Sequence, residues 1–197
     1  MQKDKYLLLI RNKTLLLLIL SFCSTTSNSQ EKDSIIIWNK NYKLSWNDFS
    51  GKNYINKYNS SAISSLKLYY IQSYYKNKIH SYNVITLFYR YKSFSSSNSL
   101  NLLKHEQIHF DIHEIFARKI RKHFQLLKNQ NSSEYTYNRI FTKYIDSLAI
   151  YQEKYDLDTD YSIIEKRQNF WNKIVAKKLQ ELDDYSIENL YKIKESN

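Results

Sequence analysis

The sequence is poor in the residues that bend and cross-link chains: its 197 residues include one glycine, one cysteine and no proline. A single glycine excludes glycine-rich phosphate-binding loops and the dinucleotide-binding fingerprint, because both need several glycines at fixed spacing. A single cysteine excludes an internal disulfide framework and a structural zinc site made of several thiolates. With 42% hydrophobic residues the chain can still bury a core, and its length suits one domain behind a short leader.

The chain is basic, with a formal charge of +11. A basic surface can attract nucleic acid or anionic lipid, but here the lysines are scattered and no block of five like charges occurs. We therefore expect no nucleic-acid partner, and we expect function to reside in a local site rather than in the overall composition.

The N-terminal segment has the pattern of a secretory signal peptide. Basic residues precede an apolar run of nine residues, Thr14–Phe22, which is too short to span a bilayer but suits the hydrophobic region of a signal. Small residues at Ser27 and Ser29 predict cleavage before Gln30. Residues 1–29 are thus predicted to be a signal peptide, and residues 30–197 a single exported domain of the periplasm, outer envelope or exterior with no membrane span. The alternative is an uncleaved anchor or a buried helix.

The only cysteine leaves a second processing route open. Leu20-Ser21-Phe22-Cys23 loosely resembles a bacterial lipoprotein signal, in which the cysteine becomes the lipidated first residue. The bulky ring of Phe22 argues against this route, because the signal peptidase pocket at that position selects small residues. A lipid anchor at Cys23 is therefore the minority alternative to cleavage before Gln30.

The N-terminal half of the domain is predicted to be β-structure. Apolar or alternating residues predict strands at Ile35–Trp38, Leu66–Tyr70 and Val84–Tyr91, and Asp48–Gly51 is predicted to be a turn. The serine-rich stretch Ser93–Ser99 is expected to be a loop that ends in good N-cap residues.

The C-terminal half is predicted to be helical, because its apolar residues recur with a period close to 3.6. The expected features are a first helix over Leu100–Leu127, a break at Asn129–Ser133, a second helix over Tyr137–Tyr155, an acidic turn at Asp156–Tyr161, and a capping box of Ser162 and Glu165 that opens a third helix. Strands followed by helices indicate an α+β fold, with N-terminal antiparallel strands and then three long helices.

The first of these helices contains His105-Glu106-Gln107-Ile108-His109, an HExxH motif. Histidines four positions apart lie on one face of a helix, one turn above the other, so both imidazoles can reach one metal ion. Zinc suits imidazole ligands and needs no redox chemistry. Glu106 need not bind the ion, since a carboxylate at this position can act as general base toward a zinc-activated water. The alternative is a solvated helix face that happens to hold these residues.

Other polar residues on this helix are less specific. His113 continues the histidine stripe, but three consecutive turns seldom converge on one ion, so it is predicted to be a surface group or to lie behind a ligand. Glu114 and Arg118 are predicted to form an i,i+4 ion pair. Asp111 is expected to form an ion pair as well or, alternatively, to orient a ligand imidazole.

Three stretches of the chain together resemble a bacterial family of predicted secreted zinc-dependent proteases. The first, Leu102–Arg118, contains the family's Leu-Leu pair, His-Glu-Gln, His-Phe-Asp-Ile, Glu and Ala-Arg in order. The second is Leu44–Gly51, with its tryptophan and its Asp-Phe pair before glycine. The third comprises Tyr155, Asp156, Thr159, Gln168 and Trp171. The resemblance covers the chain from about Trp38 to Ile174, and three motifs in order are more specific than HExxH alone.

The resemblance implies a zincin-like metallopeptidase domain with zinc as cofactor, His105 and His109 as ligands, and a peptide or protein as substrate. Family members usually have a further histidine two residues after the position of Thr159, which is a natural third ligand. Here Tyr161 stands in that place, and we predict that its phenol oxygen is the third ligand. The carboxylate alternatives are Asp160, Asp156 and Glu114.

The sequence thus predicts a zinc-dependent peptidase of the bacterial envelope or exterior, in which a zinc-activated water attacks a peptide carbonyl with Glu106 as general base. Tyr161 in the place of a ligand favours an alternative, a catalytically impaired metal-binding or protein-interaction module of the cell envelope. The same ligands would also serve a hydrolase that acts on cell-wall or small-molecule amides.

Overall fold

The structure, a computed structural model, describes residues 34–52, 61–75, 78–130 and 132–189. The predicted signal peptide and Cys23 lie outside these residues. In the described ranges five strands precede three long helices, which confirms the predicted α+β order. The strands are β1 (Ile35–Ile37), β2 (Ala62–Ile63), β3 (Leu66–Tyr75), β4 (Lys78–Tyr89) and β5 (Phe94–Ser95), and the helices are α1 (Leu100–Asn129), α2 (Glu134–Thr159) and α3 (Glu165–Glu181).

The sheet forms a platform beneath α1. β4 is the middle strand of an antiparallel sheet with the order β1-β4-β3, and β2 and β5 form a separate antiparallel pair. Val84, Thr86 and Phe88 occupy alternate positions of β4, and each is at most 1% exposed. Because alternate side chains of a strand share one face, this is the face that β4 packs against α1.

The only glycine lies where two segments of backbone approach closely. A Cβ atom on Gly51 would lie 2.7 Å from the carbonyl oxygen of Ser93 and 2.8 Å from that of Tyr91. The amide of Gly51 donates a hydrogen bond of 2.8 Å to the same Ser93 oxygen. The predicted Asp48–Gly51 turn therefore needs glycine because any side chain would collide with the backbone that follows β4.

α1 is the central element of the fold. It begins after Ser99, whose Oγ accepts a hydrogen bond from the Leu102 amide, so the expected N-cap is confirmed. α1 contacts β4, α2 and α3, and Ile112, Ile115 and Ile120 on it have no exposed surface. No helix in the described ranges combines the length and the apolar character that a membrane crossing needs. α1 also buries polar side chains, among them His105, Glu106 and Asp111.

The end of α2 differs from the prediction. The helix continues through Asp156 to Thr159, so the predicted acidic turn Asp156–Tyr161 is wrong for its first four residues. Thr159 has no exposed surface, and its hydroxyl donates a hydrogen bond of 2.8 Å to the carbonyl of Tyr155, four residues earlier. Such a bond is typical of a helical turn. Asp156 therefore lies in the last turn of α2.

The predicted capping box before α3 is also wrong. The N-cap of α3 is Ile164, and no side chain makes a capping hydrogen bond to it. Ser162 lies two residues earlier with a φ of 82°, whereas an N-cap residue is usually extended. The chain reverses direction between α2 and α3 through left-handed residues, which leaves Ser162 outside the helix.

Candidate metal centre

Three side-chain atoms from two helices converge on one point. Nε2 of His105 and Nε2 of His109 lie 3.0 Å apart. Oδ1 of Asp156 lies 3.0 Å from the first nitrogen and 2.8 Å from the second. The chain therefore contains a group of His105, His109 and Asp156, called the metal group below, that can hold a metal ion.

Two elements of the fold deliver these atoms. His105 and His109 occupy successive turns of α1, as their spacing predicts. Asp156 joins them only because α2 remains helical to Thr159. Since α1 and α2 pack against each other, the carboxylate lies opposite the two imidazoles.

Two glutamine amides fix the protonation of the imidazoles. Nδ1 of His105 lies 3.2 Å from Oε1 of Gln168, and Nδ1 of His109 lies 2.5 Å from Oε1 of Gln152. An amide oxygen can only accept, so each Nδ1 carries the proton and donates it. In a neutral imidazole Nε2 is then unprotonated, and its lone pair faces the carboxylate of Asp156. When both imidazoles are neutral, three acceptor atoms thus meet without a donor between them, an arrangement that an added cation or a proton stabilises.

Further hydrogen bonds set the orientation of each amide. Oε1 of Gln168 accepts a bond of 2.7 Å from the Tyr155 hydroxyl, and its Nε2 donates to Asn172 at 2.9 Å. Nε2 of Gln152 donates to the main-chain carbonyl of His109 at 3.0 Å, which turns its oxygen toward the His109 ring. Outer partners of this kind fix the tautomer and ring orientation of the histidines in zinc sites.

Aromatic packing holds the imidazoles from behind. The Tyr155 ring has no exposed surface and stacks on His105 with a centroid distance of 4.5 Å. It meets the His109 ring edge-on at 4.9 Å and the Trp171 ring at 5.2 Å. Each imidazole is therefore fixed both by an amide and by the same tyrosine.

The pKa shifts of Asp156 and His109 also indicate that positive charge stabilises the metal group. Burial alone would raise the pKa of Asp156, but its hydrogen bonds to His105 and His109 and their charges outweigh burial and hold that pKa well below its usual value. Burial alone would lower the pKa of His109. The hydrogen bond to Asp156 and the nearby charge of Glu106 nevertheless raise it above the usual 6.5. A proton on His109 thus supplies positive charge when no metal does.

Glu106 lines the same cavity as the metal group. It is 5% exposed, and Ser64 Oγ donates a hydrogen bond of 2.5 Å to its Oε2. Ser64 lies in the short connection between β2 and β3. The carboxylate of Glu106 is thus held next to the metal group without being part of it, which suits a proton acceptor better than a ligand.

A cavity of about 890 Å³ opens onto the metal group. Its described walls come from β2 and the residues after it, from the start of α1 and from the turn after α2. Small-molecule sites commonly range from about 300 to 1,000 Å³, so this cavity has room for several residues of a peptide.

The third member of the metal group is Asp156, one of the alternatives to Tyr161. Tyr161 lines the same cavity and is 59% exposed, and its role as a ligand stays a prediction. Asp160 is the exposed C-cap residue of α2. Glu114 lies in an ion pair with Arg118, as predicted for these two residues.

Two other polar residues of α1 have roles outside the metal group. Asp111 accepts hydrogen bonds from the Trp38 indole at 2.8 Å and from the Gln107 amide at 2.9 Å. Both partners are neutral, and no ion pair of Asp111 is found among the described residues, so Asp111 joins α1 to the residue after β1. Nδ1 of His113 lies 2.7 Å from Nε2 of Gln152, an outer position behind His109.

Sequence reasoning missed two residues that support the site. Gln152 lies four positions before Asp156 on α2, and this spacing is a signal that both face α1. Ser64 gives no such signal, because 42 residues separate it from Glu106 and only the packing of β2 on α1 brings them together.

The donor set fits zinc. Two imidazole nitrogens and one carboxylate oxygen, with a fourth position for water or substrate, are typical of catalytic zinc sites. Tetrahedral ligand atoms about 2.1 Å from zinc lie about 3.4 Å from one another. The separations of 2.8 to 3.0 Å in the metal group therefore need only a small expansion, and all three residues line the cavity from which a fourth ligand can enter.

A scan against protein-family models and searches of curated proteins and solved structures find no match to this chain. Support for a function therefore comes from the chain's own sequence and from the geometry of the metal group.

Proposed function

We propose that this chain is a zinc-dependent peptidase of the bacterial envelope or exterior. The observation that carries the proposal is the convergence of His105 Nε2, His109 Nε2 and Asp156 Oδ1 within 3.0 Å of one another, with Glu106 in the same open cavity. A general base beside a three-ligand group with an accessible fourth position is the arrangement that hydrolytic zinc enzymes use.

Each residue has a defined role in the proposed reaction. Zinc, when bound, supplies Lewis acidity that lowers the pKa of water toward neutrality and polarises a peptide carbonyl. Glu106 accepts the proton of the attacking water and delivers it to the leaving amine. Ser64 holds one oxygen of that carboxylate and leaves the other for proton transfer. Gln152 and Gln168 keep the Nδ1 atoms protonated, so that both Nε2 atoms remain available as ligands.

The resemblance to secreted zinc-dependent proteases supports this proposal, because residues that carry the resemblance surround the metal group. Tyr155 and Gln168 contact His105 directly, and Trp171 packs on Tyr155. The predicted signal peptide, residues 1–29, supports action outside the cytoplasm.

Zinc binding is the first test. Protein purified without metal and titrated with zinc is expected to bind one ion per chain. His105→Ala and Asp156→Ala are expected to lose this binding, because each leaves only two protein ligands. Isothermal titration and elemental analysis measure both quantities.

Hydrolysis is the second test, and Glu106→Gln is the informative variant. Glutamine keeps the size and the acceptor oxygen of the side chain but cannot take a proton, so we expect normal zinc content and about 10²–10⁴-fold slower cleavage of a peptide library. Glu153→Gln, on the exposed surface of α2, is the matched control and should cleave like the parent.

Each alternative has its own outcome. Equal cleavage by Glu106→Gln and the parent would contradict the role of Glu106. Stoichiometric zinc without cleavage of any peptide would favour a metal-binding module, and cleavage restricted to cell-wall or small-molecule amides would favour a different hydrolase.

A further inference from the structure

Among the described residues that line the cavity, the metal group and Glu106 carry its carboxylates, and no lysine or arginine is present. Its other described lining residues are serines, aliphatic residues, one tyrosine, one glutamine and His113, although the chain carries 30 Lys+Arg and 19 Asp+Glu. A charged side chain that entered this part of the cavity would lose hydration without gaining a partner of opposite charge. The lining therefore favours an uncharged ligand.

Exposed apolar side chains lie at the same cavity. Tyr161 is 59% and Ile163 75% exposed, and both line the cavity. Ile63, Leu66 and Leu102 add apolar surface from β2, β3 and α1. These side chains offer apolar surface at the cavity against which an apolar group of a ligand can be buried.

The backbone between α2 and α3 fixes the exposed pair relative to the metal group. Asp160, Tyr161 and Ser162 have φ angles of 47°, 51° and 82°, although none of them is glycine. The left-handed conformation is unfavourable for such residues, and it persists only where the surrounding structure imposes it. The amide of Tyr161 donates a hydrogen bond of 2.9 Å to the main-chain carbonyl of Asp156. The turn that presents Tyr161 is thus bonded to a member of the metal group.

We propose that Tyr161 and Ile163 determine substrate specificity by burying an apolar side chain of an uncharged peptide segment that lies beside the metal group. The inference rests on the proposed function and names its substrate class: peptides with an aliphatic or aromatic residue among small, uncharged neighbours. It gives Tyr161 a role in contacting substrate in place of a role in binding zinc.

Binding to an inactive protein tests the selectivity directly. The probes are acetylated and amidated heptapeptides of alanine and serine that carry one Leu, Phe, Asp or Lys at each position in turn. They compete with a fluorescent member of the set for zinc-loaded Glu106→Gln, and anisotropy reports the competition. The best Leu and Phe peptides are expected to bind at least about tenfold more tightly than the Asp and Lys peptides. Equal affinities, or no binding by any peptide, would overturn the inference.

Variants of the turn show which side chains are responsible. Ile163→Ser and Tyr161→Ser, each made in the Glu106→Gln protein, are expected to weaken Leu and Phe peptides about tenfold and to leave Asp and Lys peptides unchanged. Both side chains are exposed, so neither change threatens the core. Ile150→Ser is the matched control, because Ile150 is 69% exposed on α2 and is not among the described lining residues. Parent-like selectivity in both turn variants would contradict the proposal.

Tyr161→Phe separates the two roles of Tyr161. If the ring contacts substrate, this variant keeps both zinc affinity and peptide selectivity. A large loss of zinc affinity would instead identify the phenol oxygen as a ligand and overturn the inference for this residue.

Failure of the proposed function has a different signature. In that case the zinc-loaded parent and zinc-loaded Glu106→Gln would cleave peptides at the same rate. Cleavage that depends on Glu106 but takes Asp and Lys peptides as readily as Leu and Phe peptides would overturn the selectivity alone.

Discussion

The two halves of α1 bury polar side chains in opposite ways. In the second half, Glu114, Arg118 and Arg121 are each 2% exposed. Glu114 accepts hydrogen bonds from both arginines and from the Thr86 hydroxyl, and Arg118 also pairs with Asp183 at 3.1 Å. Two cations thus meet two anions, so this cluster is balanced by the protein itself.

The first half of α1 has no such balance. Nε2 of His105, Nε2 of His109 and Oδ1 of Asp156 are three acceptors within 3.0 Å of one another when the imidazoles are neutral. Burial alone therefore does not separate a structural cluster from a functional one. The balance of charge does, because only a cluster without enough positive charge of its own is stabilised by an added cation.

Removing a charge from the balanced cluster should have the largest effect. Glu114→Ala leaves Arg118 and Arg121 buried without their shared carboxylate, and we expect a loss of about 3–5 kcal/mol in the free energy of unfolding. Urea denaturation of the metal-free protein measures it. Glu153→Ala on the exposed face of α2 is the control and should change stability by less than about 0.5 kcal/mol. A Glu114 variant as stable as this control would show that the second half of α1 is not held by its ion pairs.

Adding a cation should stabilise only the unbalanced cluster. Zinc at about a thousand times its dissociation constant is expected to raise the free energy of unfolding of the parent by about 4 kcal/mol, because it binds the folded chain. Denaturation with zinc and with a chelator measures the difference. His109→Ala should show no such gain, and a gain of the same size in that variant would place the zinc elsewhere.

The outer partners of the imidazoles should have a smaller effect. Gln152→Ala removes the acceptor that keeps the Nδ1 proton of His109 in place, and we expect about 10–100-fold weaker zinc binding. Isothermal titration gives the affinity. Gln180→Ala, exposed on α3, is the matched control. Parent-like affinity in Gln152→Ala would mean that the amide does not set the tautomer.

The fold and two of the three members of the metal group follow from local sequence patterns. Hydrophobic periodicity predicts the order of strands and helices, and the spacing of His105 and His109 places both on one face of α1. These are properties of one segment at a time, which a pattern of neighbours can specify.

The remaining parts depend on contacts between distant segments. Local patterns predict that Asp156 lies in a turn. In the structure Asp156 reaches the imidazoles because α2 continues for one more turn, in which Thr159 is buried and donates a hydrogen bond to the Tyr155 carbonyl. Ser64 reaches Glu106 only through the packing of β2 on α1. Such packing is not encoded in the periodicity of either partner, so the third member of the group could be named only as one of several alternatives.

The smallest expected effect is a reversal of pH dependence between the metal-free and the zinc-loaded protein. In the metal-free protein the pKa of His109 is raised above its usual 6.5. Protonated His109 therefore contributes fully to the free energy of unfolding below about pH 6.5, and this contribution is lost as the pH rises through the raised pKa. The lowered pKa of Asp156 means that its contribution is complete above about 3.8 and is lost as pH falls further. The pair therefore stabilises the metal-free fold fully between these two values.

Zinc must displace the proton from His109, so its affinity should rise over the pH range in which the metal-free protein weakens. Urea denaturation at pH 5.5 and 8.5 measures the free energy of unfolding. Between these pH values the metal-free parent is expected to lose about 1 kcal/mol of it relative to Asp156→Asn. The increase that zinc produces in the parent is expected to be larger at pH 8.5. Asp156→Asn is the control because it removes the carboxylate that raises the pKa of His109. If the free energy of unfolding changes with pH in the same way in the parent and in this variant, with and without zinc, protons and zinc do not compete for the same atoms. That outcome would contradict the interpretation that the first half of α1, unlike the second, needs an added cation.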